Sequence, residues 1–202
     1  MNGQETEAKF HIQDLKRIES RLLELKARLI QQRIHETNLR FDTPNGDLRS
    51  SQRVLRLRQD DMARFTFKGP SVELEGGVAS RKEIEFVVGD YESAKLFLEE
   101  LGFNEIAFYE KFRATYDLNE THIMLDELPY GNFIEIEGED AESIRKVADL
   151  LGLNWDAMIK AGYYALFNRV AGKYGLDNSK LSFENLRGTK IDIADMNIIA
   201  AD

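Results

Sequence analysis

An alternation of charged and apolar residues recurs in eight segments of the sequence and constrains the fold more than any other feature. In the first segment Glu5, Glu7 and Lys9 alternate with Ala8 and Phe10. Residues two apart in a β-strand lie on the same face, so each segment predicts a strand with one charged and one apolar face. The predicted strands cover residues 5–12, 34–42, 52–59, 63–68, 81–88, 107–118, 121–127 and 133–137.

The charged faces of these segments carry both signs in closely spaced pairs, such as Arg56 with Arg58 and Glu135 with Glu137. One strand of this kind alone would be typical of a sheet that meets the core on one side and water on the other, because charged side chains are seldom buried. Ordinary solvent faces mix Ser, Thr and Lys rather than pairing Glu and Arg. Eight such strands together favour a closed antiparallel barrel with the charged faces inside, and such a barrel can enclose a ligand.

Amphipathic helices supply the apolar partner that the outer faces of such a barrel need. Leu15, Ile18 and Leu22 recur at helical spacing after Asp14, which is a typical N-cap residue. The expected fold class is therefore α+β: an eight-stranded antiparallel β-barrel, or tunnel, with a charged interior and amphipathic helices packed outside. The helices are predicted over residues 14–32, 90–101, 140–151 and 154–174.

The composition bounds the domain count and excludes several classes of protein. The 202 residues suffice for one domain with an appendage, and we expect a tunnel domain over residues 1–174. Residues 175–202 form a C-terminal tail of uncertain structure, with a short helix near 195–201. The chain has no cysteine, which excludes disulfide scaffolds, thiolate zinc sites and cysteine nucleophiles.

Charge and hydropathy indicate which partners to expect. Lys and Arg number 27 against 36 Asp and Glu, so the formal charge is −9. This balance argues against a general nucleic-acid-binding protein, because phosphate backbones are bound mainly by basic side chains. No apolar run approaches the ~18 residues of a membrane span, and residues 1–9 are polar, unlike a signal peptide. We therefore expect a cytoplasmic protein with no nucleic-acid or membrane partner.

The predicted interior indicates the chemistry of a ligand. Several basic side chains in one lumen would repel one another when nothing is bound, and they suit a polyanion held by charge-assisted hydrogen bonds. Glutamates gathered in the same lumen suit a hard divalent cation, which takes oxygen ligands. The sequence thus predicts a polyanion site and a metal site inside one barrel.

A series of motifs resembles the CYTH, or triphosphate tunnel metalloenzyme, superfamily. The series begins with Glu5-Thr6-Glu7-Ala8-Lys9, which matches the Glu-x-Glu-x-Lys signature of that superfamily, and the resemblance extends over residues 3–170. It departs at Asn38-Leu39-Arg40, where many members carry an acid and a tyrosine. The other matching motifs are, in order, Phe41-Asp42-Thr43-Pro44, Leu55-Arg56-Leu57-Arg58, Thr66-Phe67-Lys68-Gly69-Pro70, Arg81-Lys82-Glu83-Ile84-Glu85, Lys111-Phe112-Arg113 and Phe133-Ile134-Glu135-Ile136-Glu137.

The resemblance implies a tunnel that binds a triphosphate and acts on it with Mg²⁺ or Mn²⁺. It also makes Lys9 a candidate catalytic residue that orients or deprotonates the nucleophile. Metal and basic side chains together would neutralise charge on the phosphoryl oxygens. The residues carried over as triphosphate ligands are Lys9, Arg56, Arg58, Lys68, Arg81, Lys111 and Arg113. Those carried over as metal ligands are Glu5, Glu7, Glu135 and Glu137, with Asp126 and Glu83 or Glu85 as helpers.

Two classes of function stay open at this point. The first is an enzyme that cleaves a phosphoanhydride bond, either a triphosphatase (inorganic, thiamine or nucleoside) or a class IV adenylyl cyclase. These differ in the nucleophile and in the phosphorus attacked, and the charged residues do not decide between them. The second class is a non-catalytic module that binds polyphosphate or a nucleotide. The expected partner is a triphosphate-containing small molecule, and a homodimer is left open.

Overall fold

The computed structural model describes residues 3–202 and confirms the closed antiparallel barrel. The strands are β1 (Gln4–Ile12), β2 (Arg28–Asp42), β3 (Val54–Gln59), β4 (Ala63–Lys68), β5 (Val72–Glu73), β6 (Ala79–Val88), β7 (Asn104–Leu118), β8 (Thr121–Leu128), β9 (Gly131–Glu137) and β10 (Lys180–Leu181). The helices are α1 (Leu15–Glu24), α2 (Asp47–Ser50), α3 (Tyr91–Glu100), α4 (Ala141–Leu151) and α5 (Tyr163–Val170). Short 3₁₀ turns cover Glu75–Gly77, Trp155–Ala157 and Ile193–Met196.

Eight of the strands close on themselves in the order β1-β9-β8-β7-β2-β3-β4-β6, and β6 pairs back with β1. All of these pairings are antiparallel. Of the two remaining strands, β5 pairs with β6, and β10 adds parallel to β7. Within residues 3–202 no helix combines the length and apolar character needed to span a membrane.

The register of the strands joins the charged faces into one inner surface. Lys9 on β1 lies directly opposite Glu135 on β9, whereas the next pair, Phe10 with Ile134, points to the other side. Directly opposite residues share a face and are in contact distance, so the alternation seen in each segment propagates around the barrel. Phe10 and Ile134 are fully buried beneath the outer layer.

Helices and the C-terminal segment pack against the barrel in three clusters. Ile18 of α1 and Ile144 of α4 pack over β1, β8 and β9, and Leu98 of α3 packs over β2 and β3. In the third cluster, Phe167 of α5 and residues of the tail pack with Phe133, which shares the inner face of β9 with Glu135. Fully burying one such side chain contributes about 1.5–3 kcal/mol, so this outer layer fixes the barrel and leaves its interior free to be polar.

The first helix is shorter than predicted, because β2 takes over its C-terminal part. The helix ends at Glu24, and Lys26 turns the chain with a positive φ of 58°. Leu29, expected on the helix, instead lies in β2 opposite Tyr116 of β7. The helical spacing of leucines was therefore a wrong guide after Leu25, since ladder hydrogen bonds to β7 outweigh the local preference.

The long helix predicted over residues 154–174 is also wrong. The side chain of Asn154 caps only the 3₁₀ turn Trp155–Ala157. The chain then runs extended, with the amide of Ile159 donating to the carbonyl of Lys9 at 2.8 Å. Gly162 provides the N-cap of the short helix α5. This break keeps the segment against the barrel, where the ring of Tyr163 packs on Phe133.

Residues 175–202 pack against the barrel as well. Leu181 of β10 and Met196 are fully buried in the cluster around α5. A 3₁₀ turn at Ile193–Met196 replaces the helix predicted near 195–201, because Asn197 adopts a left-handed conformation that ends it. The side chain of Asp202 accepts hydrogen bonds from the backbone amides of Gln13 and Asp14 at 2.7 and 2.8 Å, which ties the end of the described chain to the start of α1.

Candidate functional site

The barrel encloses a cavity of about 1030 Å³ whose wall is made largely of charged side chains. Every residue that the sequence predicted as a triphosphate ligand lies on this wall. Glu5, Glu7, Glu135 and Glu137, predicted as metal ligands, lie there too, together with Glu83 and Glu85. Asp126 does not line the cavity: it lies opposite Arg113 on the inner face, fully buried under its hydrogen-bond partners.

Asp126 is occupied by neighbours in the barrel wall. Its carboxylate accepts hydrogen bonds from Lys111 at 3.1 Å, from Arg113 at 2.6 Å and from the hydroxyl of Tyr163 at 2.7 Å. These donors engage both carboxylate oxygens of Asp126. The geometry therefore gives Asp126 the part of holding Lys111 and Arg113 in place.

Lys9 and Glu135 form an ion pair of 3.0 Å between Nζ and Oε1, and both side chains are more than nine-tenths buried. Arg113 also contacts Glu135. Burial by itself would raise the pKa of Glu135, but the charges of Lys9 and Arg113 outweigh it and hold that pKa well below its usual range. Burial likewise opposes the charged form of Lys9, yet Glu135 and Glu7 raise its pKa. Lys9 is therefore a persistent cation, suited to binding an oxyanion or orienting a nucleophile.

A group of glutamates lies on another part of the wall, where Glu7 of β1 is directly opposite Glu137 of β9. Burial raises the pKa of Glu137, and the neighbouring Glu5, Glu83 and Glu7 raise it further, to about 7. Like charges placed directly opposite across strands are destabilising. This part of the cavity thus carries more negative charge than its own cations neutralise.

Two cations reach into this acidic group and hold Glu5. Lys68 Nζ lies 2.7 Å from its Oε1, and Arg81 Nε donates to its Oε2 at 2.8 Å. Burial would raise the pKa of Glu5, but Lys68 and Arg81 lower it to about 2. Across residues 3–202 no three His, Asp or Glu side chains are already spaced to enclose a metal ion. The glutamates supply the hard oxygens that Mg²⁺ and Mn²⁺ prefer, and Glu5 would have to exchange its cations for the metal.

The opposite part of the wall is basic and comes from β3. Arg56 donates to the hydroxyl of Tyr109 and to Thr66 Oγ1, both at 3.1 Å. Arg58 donates to Glu85 Oε1 at 2.9 Å. The two arginines stand two residues apart on one strand, so both guanidinium groups serve the same stretch of cavity. Such planar donors suit the oxygens of a phosphate chain.

Comparison with known proteins identifies the fold. The sequence profile of the CYTH domain matches residues 3–153. This chain belongs to the CYTH family. A comparison with the curated proteins gave no match.

Several solved structures are similar to this CYTH protein. One, a provisionally assigned adenylate cyclase from Vibrio parahaemolyticus, superposes with a TM-score of 0.71 at 21% identity, over 80% of this chain and 96% of that one. A conserved hypothetical protein from Pyrococcus furiosus gives 0.66 at 27% identity, over 79% and 97%. A provisionally assigned adenylyl cyclase from Hippeastrum, with a dominant triphosphatase activity, gives 0.60 at 20% identity, over 81% and 95%.

Some cavity residues of this CYTH protein were not among the predicted site residues. Arg40 follows Glu36 and Asn38 along the charged face of β2, so the alternation could have identified it as a wall residue. Tyr109 has the same signal on β7. Tyr163 comes from α5 outside the barrel, and no sequence pattern places it beside Lys9, where its ring centroid lies 4.4 Å from Nζ.

Proposed function

We propose that this CYTH protein binds a triphosphate inside its tunnel together with Mg²⁺ or Mn²⁺ and cleaves one of its phosphoanhydride bonds. The observation that carries the proposal is the division of one cavity wall into a basic surface and a group of glutamates. A polyphosphate chain needs cations along its length, and a metal ion that bridges chain and protein needs hard oxygens beside it. Both are present within one enclosed space.

Glu5, Glu7, Glu83 and Glu137 are the residues that would hold the metal. The raised pKa of Glu137, caused by burial and then by its acidic neighbours, supports this assignment because a divalent cation would relieve that repulsion. When bound, the metal would act as a Lewis acid on a phosphoryl oxygen. Glu135 is already engaged with Lys9, so it acts as an orienting partner for that cation.

The basic residues bind and orient the chain. Arg56, Arg58 and Arg113 would donate to phosphoryl oxygens, and each is held by a neighbour that fixes its direction. Lys9 stays protonated, as its raised pKa indicates, so it would stabilise negative charge or orient the nucleophile rather than remove its proton. Charge that develops on the phosphoryl oxygens is then met by groups that are already in position.

The reaction belongs to one of two types. In a triphosphatase the nucleophile is water, and phosphate or pyrophosphate is released. In a class IV adenylyl cyclase the nucleophile is the ribose 3′-hydroxyl and the products are cyclic AMP and pyrophosphate. The Hippeastrum protein, which has a dominant triphosphatase activity, makes the triphosphatase reaction the first to measure here.

A non-catalytic polyphosphate-binding module is the second candidate. It is favoured by the ion pairs that Glu5 makes with Lys68 and Arg81. These cations occupy the Glu5 carboxylate, which a metal would otherwise use as a ligand. Such a module would bind tripolyphosphate whether or not a divalent metal is present, and it would release no product.

A substrate panel separates these functions. The protein is incubated with tripolyphosphate, thiamine triphosphate and ATP, each with Mg²⁺, with Mn²⁺ and with EDTA, and phosphate, pyrophosphate and cyclic AMP are measured separately. Metal-dependent release of phosphate or pyrophosphate identifies a triphosphatase, and cyclic AMP identifies a cyclase. Binding of tripolyphosphate without any product would support the non-catalytic module. No binding at all would contradict the proposed triphosphate site in the tunnel.

A further inference from the structure

Tyr163 reaches the basic wall of the cavity from α5, a helix that is not part of the barrel. The centre of its ring is 4.4 Å from Nζ of Lys9 and 5.2 Å from Nζ of Lys111. A cation within about 6 Å of a ring centre is attracted by the face of the ring. Both lysines are buried, so one aromatic ring restricts the side chains of two proposed triphosphate ligands.

The hydroxyl group of Tyr163 fixes the ring from its other end. It donates to Oδ2 of Asp126 at 2.7 Å, and Nζ of Lys111 donates to the same oxygen at 3.1 Å. Burial raises the pKa of Tyr163 well above its usual range, and the charges of Asp126 and Glu135 raise it further, so the hydroxyl keeps its proton. Tyr163, Asp126 and Lys111 therefore form a closed set in which each residue contacts the other two.

The position of Tyr163 is also set by contacts away from the lysines. Its backbone carbonyl accepts a hydrogen bond from the hydroxyl of Tyr130 at 2.8 Å, and its ring meets that of Phe133 edge-on, with 5.1 Å between the ring centroids. The tail packs on α5 through buried side chains such as that of Met196. Tyr163 and the tail lie beyond residues 3–153, the range that the CYTH profile matches. The ring is thus held by a part of the chain that the family match does not include.

We propose that Tyr163 is a positioning residue, whose ring orders the side chains of Lys9 and Lys111 before the phosphate chain binds. This inference rests on the proposed triphosphate site and adds a residue that acts through the two lysines. A lysine side chain has several rotatable bonds, and ordering it on binding lowers affinity. Because the ring restricts both lysines in the folded protein, their conformational entropy is lost on folding rather than on binding.

Calorimetric titration of tripolyphosphate in EDTA measures this ordering, since the proposed metal-dependent turnover is suppressed there. Tyr163→Leu removes the ring, and we expect it to bind tripolyphosphate roughly 5- to 50-fold more weakly than wild type. Tyr163→Phe keeps the ring and should bind nearly as well as wild type. Phe167→Leu is the matched control, because Phe167 is fully buried on the same helix and its ring stacks on that of Tyr130. This control should leave the affinity unchanged.

A double-mutant cycle shows whether Tyr163 acts through the lysines. In a Lys111→Met background only Lys9 remains to be ordered, so Tyr163→Leu should weaken binding by about two- to sevenfold, the square root of its effect in wild type. The same cycle with Lys9→Met replaces it if Lys111→Met fails to fold. An equal fold-loss with and without the lysine would overturn the proposal, because a purely structural role of Tyr163 would be additive.

NMR of the lysine side chains provides a readout that needs no ligand. An aromatic ring shifts the signals of protons above its face to lower frequency. The ε-CH₂ signals of Lys9 and Lys111 should therefore be shifted in wild type and in Tyr163→Phe, and they should return to ordinary values in Tyr163→Leu.

The outcomes separate this proposal from the proposed function. Unshifted lysine signals in wild type would overturn the ordering by Tyr163, and so would equal losses of affinity in Tyr163→Leu and Phe167→Leu. Shifted signals together with no binding of tripolyphosphate by wild type would instead contradict the proposed triphosphate site, and with it the role of Tyr163 in binding.

Discussion

Lys9 on β1 and Glu135 on β9 stand directly opposite each other and form a 3.0 Å ion pair in the barrel interior. The pair is enclosed by the ring of Tyr163 on one side and by Arg113 on the other. A lysine and a glutamate that are both this buried are stable only as a pair. The interior of the barrel is therefore a network of paired charges around Lys9 and Glu135, and the same network is part of the candidate binding surface.

Neutralising Glu135 should destabilise the fold strongly. Removing one partner of a buried ion pair costs about 3–5 kcal/mol of stability, because the remaining charge is left without a counter-ion. Glu135→Gln should lower the free energy of unfolding in urea by an amount of this order. Glu127→Gln is the matched control, since its pair with Arg33 is exposed, and exposed pairs contribute about 0–1 kcal/mol. Equal losses in both variants would show that the interior pair is not desolvated.

Glu137 should make the stability of the metal-free protein depend on pH. Its pKa is raised from 4.5 to about 7 by burial and by Glu5, Glu83 and Glu7. The protonated form is favoured in the folded state, so its contribution is fully present below pH 4.5 and is lost as the pH rises through 7. Glu137→Gln keeps the shape without the charge, and it should therefore be more stable than wild type at pH 8 by roughly 2–3 kcal/mol.

The comparison is made by urea unfolding at pH 5 and pH 8 in EDTA. At pH 5 the variant and wild type should be nearly equal, because both carry a neutral side chain at position 137. Glu139→Gln, an exposed neighbour on the same segment, should match wild type at both pH values. If Glu137→Gln and wild type differ in stability by the same amount at pH 5 and pH 8, the raised pKa of Glu137 is contradicted.

Turnover should require Glu7. In the proposed reaction Glu7 supplies a hard oxygen to the metal, and Glu7→Gln weakens that ligand while keeping its size. Loss of outer-shell partners alone costs 10- to 100-fold in metal affinity or activity, so a direct ligand should cost at least about tenfold. The variant should stay folded and lose product release at limiting Mg²⁺. The control is Glu184→Gln, in an exposed turn of the tail, which should behave as wild type. Unchanged turnover in Glu7→Gln would show that Glu7 is not a ligand of the metal.

The barrel could be predicted from sequence because its signal is repeated in every strand. Lys9 and Phe10 point to opposite faces whatever lies next to them, and the same rule holds along all eight strands. The end of α1 could not be predicted in this way, because Leu25 and Leu29 continue the helical spacing of the leucines before them. Only pairing of Leu29 with Tyr116 on β7, which is distant in sequence, decides that it lies in a strand.

The site was predictable to the extent that it lies on the strands. Lys9, Arg56 and Glu137 follow from the alternation, and all three line the cavity. The burial of Asp126 was not predictable, because the side chain of Tyr163, which donates to it, comes from α5. That contact requires Gly162 to end the extended segment before α5, a region where the sequence indicated one continuous helix.

The central claim is that the charged faces of the strands bind a triphosphate inside the barrel, and titration of tripolyphosphate into Arg56→Ala tests it most directly. Arg56 is almost completely enclosed in the cavity wall, whereas Lys16 lies exposed on α1. Hydrogen bonds to charged groups contribute about 1.5–3 kcal/mol each, and a decade of affinity is about 1.4 kcal/mol. Arg56→Ala should therefore bind tripolyphosphate about ten- to a hundredfold more weakly than wild type, and Lys16→Ala should bind it equally well. Equal affinities in the two variants would contradict the account.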